Sequence, residues 1–319
     1  MYVFYSCETD PGGLERPEGI PVLEAAAYMQ SFIEDISAYA HKLKPGFIII
    51  PQNGEEIAFI DMKPSSGILM SFLDAVDGFG VEELFFNDKG NPINDHTRLA
   101  MLETLRDNGK KIMVSDYVRN DIDYNTSLLK NYTNNFIAFP RSINNYGYRT
   151  IPEIKSASME MFDFNSGNIT ALSDAKNYLY FLNDDSYWTN KQKFLDEIGN
   201  TNYDVILIDL EFAGKDLTLN DLKQIRTKKD GGSRLIISYI SIGSAEKYRY
   251  YWKSGWRLNN PSWIWKSYSG YPDEFWVRFW DPRWQDIIFG NDKSYIKKII
   301  DAGFDGAYLD NIGAIRNVN

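Results

Sequence analysis

At 319 residues and 44% hydrophobic, the chain can bury a large core, and its length suits one large α/β barrel or two ordinary domains. A formal net charge of −10 excludes the basic stripe that a nucleic-acid surface needs. The single cysteine, Cys7, excludes an intramolecular disulfide and a thiolate zinc site, and two histidines, His41 and His96, are too few for a multi-histidine metal centre. No apolar run approaches the roughly 18 residues of a membrane span. The opening "MYVFYSCETDPGG" has neither the basic start nor the small-residue cleavage site of a secretory leader, so none is expected in this stretch.

In chain order, "PVLEAAAYMQSFIEDISAYAHKL" has helical periodicity, with Pro near its start. Short β-rich runs then alternate with helical patterns: "GFIIIPQN", "VEELFF", "KIMVSDY", "FIAFP", "NYLYFL", "DVILIDL", "RLIISYIS" and "GAYLD". Between the second and third, "DHTRLAMLETLRDNG" has an acidic start and a glycine stop, and "NDKSYIKKIIDAG" leads into the last run. Eight strand and helix units predict an α/β (β/α)8 TIM barrel, a single domain over residues 1–319. Residues 141–175, rich in Asn, Ser and Gly and without clear period, read as a linker.

Polar residues gather where these runs end: Asn53 and Glu55, Asn87 and Asp88, Asp116, Asp209 and Glu211, Ser241 to Glu246, then Asp310 and Asn311. In a parallel barrel the carboxyl ends of the strands converge on one mouth, so distant carboxylates become neighbours there. Any one of them could instead cap a helix or hold a loop. Seven of the eight tryptophans lie between Trp252 and Trp284, in a stretch punctuated by Gly, Pro and Asn that suits a loop presenting flat faces. No "GxGxxG" or "GxxxxGK" occurs, which removes a nucleotide site of those kinds, and no cofactor is expected.

The segments "AKNYLYFLN", "YDVILIDLEF", "SRLIISYISIGSAEKYRYYW", "FWVRFWDPRWQDII" and "AGFDGAYLDNI", with "PGFIIIPQNGEE", "VEELFFND" and "KIMVSDY", resemble the TIM-barrel glycoside hydrolases of family 114, the endo-α-1,4-polygalactosaminidases. In that family the order begins at the "AKNYLYFLN" type of segment. The resemblance therefore implies a circular permutation, with family strands five to eight first and one to four last, and residues 141–175 joining the usual termini. A slice across two tandem copies would have the same order.

The resemblance also implies a polysaccharide or oligosaccharide substrate of α-linked, galactosamine type, a secreted or cell-envelope setting, and a monomer. Glycoside hydrolysis needs two carboxyl groups about the scissile bond. Asp310, on the fourth strand in family order, is the first catalytic candidate. Glu246 in "SIGSAEKYR" is the second, on a loop of small residues; pairing with Arg249 would favour its charged form. Asp209 in "LIDLEF" is the third, with Glu83 and Asp116 behind it at the strand ends as acids or sugar ligands. Asn53, Tyr239, Arg249, Trp252, Trp280 and Asn311 are expected to bind sugar through hydrogen bonds and stacking. Tyr308 stands where some family members carry an acid, two positions before the final Asp of the "DGxxxDN" segment, and this keeps a catalytically inactive carbohydrate-binding barrel as the alternative.

Overall fold

The computed structural model describes residues 19–143, 148–151, 165–183, 187 and 189–318. About half of the expected linker, residues 144–147 and 152–164, and Trp188 lie outside them. Among the described residues, eight strands build two parallel sheets: β1 (Ile48–Pro51), β2 (Gly78–Glu82), β3 (Lys111–Ser115), β4 (Ile137–Ala138), β5 (Tyr178–Tyr180), β6 (Val205–Asp209), β7 (Leu235–Ser241) and β8 (Gly306–Asp310). They form a five-stranded sheet in the order β1-β8-β7-β6-β5 and a three-stranded sheet in the order β2-β3-β4. The sheets meet where Gln52, just past β1, bridges Gly80 of β2 in parallel, and the Asn53 N–H donates to the Gly80 carbonyl at 2.8 Å.

The first strand in the chain pairs with the last, Ile48 opposite Gly306 through Pro51 opposite Leu309. Asp310 falls opposite Ser241 of β7, and Tyr239 opposite Asp209 of β6. All eight strands thus end on one side. Among the described residues no backbone ladder joins β4 to β5. Phe139 and Tyr178 span that seam with ring centroids 5.7 Å apart, Tyr148 lies 3.8 Å from Tyr180, and the Leu182 N–H donates to the Tyr148 carbonyl at 3.1 Å.

Crossover helices cover the strands, and their sequences explain them. Helix Val22–Leu43 buries Ala25, Met29, Phe32, Ile33, Ile36 and Ala40, the three-to-four spacing of one apolar face. Helix His96–Asp107 starts on Asp95, whose side chain accepts the Arg98 N–H at 2.9 Å. Helix Tyr295–Ala302 buries Ile296 and Ile299 under β8 and stops at Gly303, which takes a left-handed conformation at φ 99°.

The strands are apolar along nearly their whole length, as befits sheets covered on both sides. Their interior is tightly packed: a Cβ on Gly80 would lie 1.8 Å from the Tyr308 hydroxyl, so β2 needs glycine there for β8 to carry tyrosine.

Candidate active site at the strand ends

Four elements bring carboxyl groups together at the carboxyl ends of the strands. Asp310, the last residue of β8, is half-buried, with its carboxylate deep among protein atoms. It accepts the Tyr239 hydroxyl at 2.6 Å and the Asn311 N–H at 2.6 Å. Burial, and then the negative charge of Glu82, push its pKa from 3.8 up to about 7 against the pull of those two hydrogen bonds. Glu82 ends β2. Its Oε1 accepts from Arg141 Nη2 at 2.9 Å and from the Tyr148 hydroxyl. The Arg141 guanidinium is itself buried, stacked between the rings of Tyr117 and Tyr148 at 3.8 and 3.4 Å.

The other two carboxyls face each other across an antiparallel ribbon. Glu246, in the short strand Ser244–Glu246, lies directly opposite Glu274 in the strand Glu274–Val277. Like charges at such a position repel, and the structure resolves the conflict asymmetrically. Glu246 is tied to Arg249 Nε at 2.6 Å and to the Tyr248 hydroxyl. Glu274 has no ion pair among the described residues: burial first, then the charges of Glu246 and Asp310, raise its pKa to about 7. The Ser244 hydroxyl at 2.5 Å and Asn311 Nδ2 at 3.2 Å oppose that rise by hydrogen bonding to Glu274.

The residues expected at the site divide by what they touch. Asp209 shares Arg249 with Glu246, accepting from Nη1 at 2.7 Å, so one buried guanidinium serves both carboxylates. Tyr239 donates to Asp310. Asn311, left-handed at φ 65°, spends its amide on Ser241, Ser244 and Glu274 and accepts the Tyr268 hydroxyl at 3.1 Å. It therefore orients the cluster. The small residues of "SIGSAE" serve the fold, since a Cβ on Gly243 would sit 2.0 Å from the Asn311 carbonyl.

Asn53 Oδ1 is occupied by the Glu82 N–H at 2.9 Å and Arg98 Nη2 at 3.0 Å, which joins β1 to β2. Asp116 is wholly buried and accepts the N–H groups of Phe85 and Phe86 and the Ser127 hydroxyl, while burial raises its pKa. Glu83, left-handed at φ 56°, accepts the Asp88 N–H at 3.0 Å. Trp252 stacks on Phe275, and Trp280 lies against Tyr28 of the first helix. Both tryptophans thus pack against other aromatic rings.

Three features of the site escaped sequence reasoning. Glu82 was passed over for its neighbour Glu83, although strand alternation separates them: Gly80 lies under the interior ring of Tyr308, and Glu82 shares its face. Glu274 was hidden among tryptophans, its only signal being an acid at the start of an aromatic strand. Tyr268 and Trp276, stacked at 4.2 Å, form the aromatic face that adjoins Asn311.

The structure is a parallel α/β framework with carboxyl groups clustered at the strand ends, of which Asp310 and Glu274 have raised pKa values. Residues 182–319 match the family described as Glycoside-hydrolase family GH114. The match takes in Asp209, Glu246, Glu274 and Asp310 and leaves Glu82 outside. The chain is also similar to the uncharacterized protein MJ1477 of Methanocaldococcus jannaschii, 37% identical over 150 residues, which are 46% of this chain and 40% of that protein. Uncharacterized proteins of Thermotoga maritima and Deinococcus radiodurans are 34% identical over 116 residues and 38% identical over 91. These cover 36% and 28% of this chain and 34% and 28% of the respective relatives. The aligned part therefore spans less than half the length of each of these curated relatives.

Proposed function

We propose that the chain is a glycoside hydrolase of the family matched by residues 182–319, acting on an α-linked amino-sugar polysaccharide of galactosamine type. In this reading the two sheets are parts of one (β/α)8 barrel with permuted strand order, a single domain closed at the seam between β4 and β5.

The observation that carries the reading is the charge arrangement at the strand ends. Glu82 and Glu246 are held by Arg141 and Arg249, whereas Asp310 and Glu274 keep protons to about pH 7. Glycoside hydrolysis needs one carboxyl to protonate the leaving oxygen while another attacks the sugar or activates water. Asp310 and Glu82 form that pair: Asp310 keeps its proton to about pH 7 and serves as the acid, and Glu82, held by Arg141, is the second carboxyl. Asp209 and Glu246, through Arg249, hold the loop and its charge. An acidic mouth attracts the cationic amine of a de-N-acetylated sugar.

The test is release of reducing ends from an α-1,4-linked galactosamine polymer. Asp310→Asn and Glu82→Gln should each lower turnover by roughly 10³ or more while polymer binding persists. Wild-type turnover in either variant overturns the pairing. Binding without release from any α-linked amino-sugar polymer favours an inactive carbohydrate-binding barrel. One observation points that way: Tyr308, two residues before Asp310, fills the interior with a buried hydroxyl that has no hydrogen-bond partner.

A further inference from the structure

The tryptophan loop makes a hollow of its own. A cavity of about 560 Å³ lies between residues 250–263 and 283–293, walled by Tyr251, Trp252, Trp256 and Ile287 and rimmed by Lys253, Asp286 and Lys293. None of the four carboxyls at the strand ends lines it. Its aromatic rings meet at steep angles, Trp252 on Trp256 at 73° and Trp256 on Trp263 at 88°, so the indoles form a corner rather than a flat stack. Volume, aromatic walls and a few convergent polar groups are the ordinary composition of a small-molecule site.

We infer that this hollow is a second saccharide-binding site, which takes a neutral, N-acetylated stretch of the polysaccharide whose cationic stretch enters the catalytic mouth. The inference rests on the carbohydrate reading of the chain. Indole rings accept the apolar C–H face of a pyranose and the methyl of an acetamide, while the rim offers donors and an acceptor to hydroxyls. Arg283 is paired with Asp281 and Asp286 offsets one lysine, so Lys253 and Lys293 leave the rim with a small net positive charge in a chain of net charge −10, which disfavours an ammonium-bearing sugar there. Tyr251 connects the two places: its ring lines the hollow, and its hydroxyl accepts the Glu246 N–H at 3.0 Å. A polymer seated in the hollow is therefore held beside the loop that carries Glu246.

The experiment titrates an α-1,4-linked N-acetylgalactosamine tetrasaccharide into the Asp310→Asn chain by calorimetry. It is repeated with Trp256→Ala, and with Asp286→Trp, which fills the hollow from an exposed rim position without touching the core. Binding should persist in Asp310→Asn and weaken about tenfold or more in both added variants. The corresponding galactosamine tetrasaccharide should bind with unchanged affinity in all three chains. If Trp256→Ala does not fold, Asp286→Trp decides alone.

Affinity for the N-acetylated sugar that is unchanged by Asp286→Trp, equal loss for both sugars, or no binding of the N-acetylated sugar at all overturns the inference. Reducing-end release by the wild-type chain is read separately. Hydrolysis without binding in the hollow sinks only the second site, and binding there without hydrolysis sinks only the enzyme reading.

Discussion

Replacing Asp310 by asparagine should abolish turnover and at the same time stabilise the protein at neutral pH. The shift of Asp310 from 3.8 to about 7 corresponds to about 4 kcal/mol at 1.36 kcal/mol per unit. The partial exposure of the residue and its coupling to Glu274 reduce the folding term to roughly 1–2 kcal/mol. The sign follows from proton binding. The folded state holds the Asp310 proton to higher pH than the unfolded chain, so the stability that this proton contributes is complete below the unfolded value and lost as pH rises through about 7. Asparagine keeps one oxygen to accept the Asn311 N–H, turns its amide NH2 to the Tyr239 hydroxyl, which then accepts instead of donating, and carries no charge at any pH. Calorimetric melting should therefore find the two chains alike near pH 4. Above pH 7 the variant should melt about 2–4 °C higher. A difference that does not change with pH, or a variant less stable than wild type at pH 8, would refute the reasoning.

Glu246→Gln removes one of the charges that raise Asp310. Turnover by the wild-type chain should decline as pH rises through about 7, and in the variant that limb should move down by roughly half a unit or more; an unmoved limb in the pH–rate profile denies the coupling. Arg249→Met leaves Asp209 and Glu246 without their cation and should cost about 3–5 kcal/mol in urea unfolding, with less than about 1 kcal/mol counting against the shared ion pair. Gly80→Ala should cost roughly 2–3 kcal/mol because the Tyr308 hydroxyl occupies the space a methyl needs. Tyr308→Ser should restore most of that loss, and additive effects in the four-chain cycle would show that the two positions are not in contact.

Much of the framework was legible in the sequence. "KIMVSDY", "DVILIDL", "RLIISYIS" and "GAYLD" enclose the strands Lys111–Ser115, Val205–Asp209, Leu235–Ser241 and Gly306–Asp310, because buried parallel strands are short unbroken apolar runs. The second strand was read too late. "VEELFF" begins at Val81, whereas the strand is Gly78–Glu82, its two glycines having the look of a breaker. With the strand placed late, Glu83 was named as a candidate and Glu82, the last residue of the strand, was not. The glycines could be understood only from the other side of the sheet, where Tyr308 needs the space. Asp310 was found because it ends an apolar run. Glu274 was not, since its chemistry depends on the residue opposite it, and register across a ribbon is invisible along one strand.

The site also depends on two parts of the chain that sequence comparison treats unequally. Asp310 lies within the matched residues 182–319 and Glu82 outside them, yet Glu82 is the charge that most strongly raises Asp310. What relates them is the ladder from β8 to β1 and the bridge from Gln52 to Gly80, which place β2 two strands from β8. Neighbour relations in a ring of parallel strands do not depend on where the chain crosses from one end to the other. In the proposed permuted barrel the two carboxyls stay neighbours provided that β8 and β1 remain paired. Disrupting that ladder should damage catalysis through Glu82 even when every residue of the matched segment is intact.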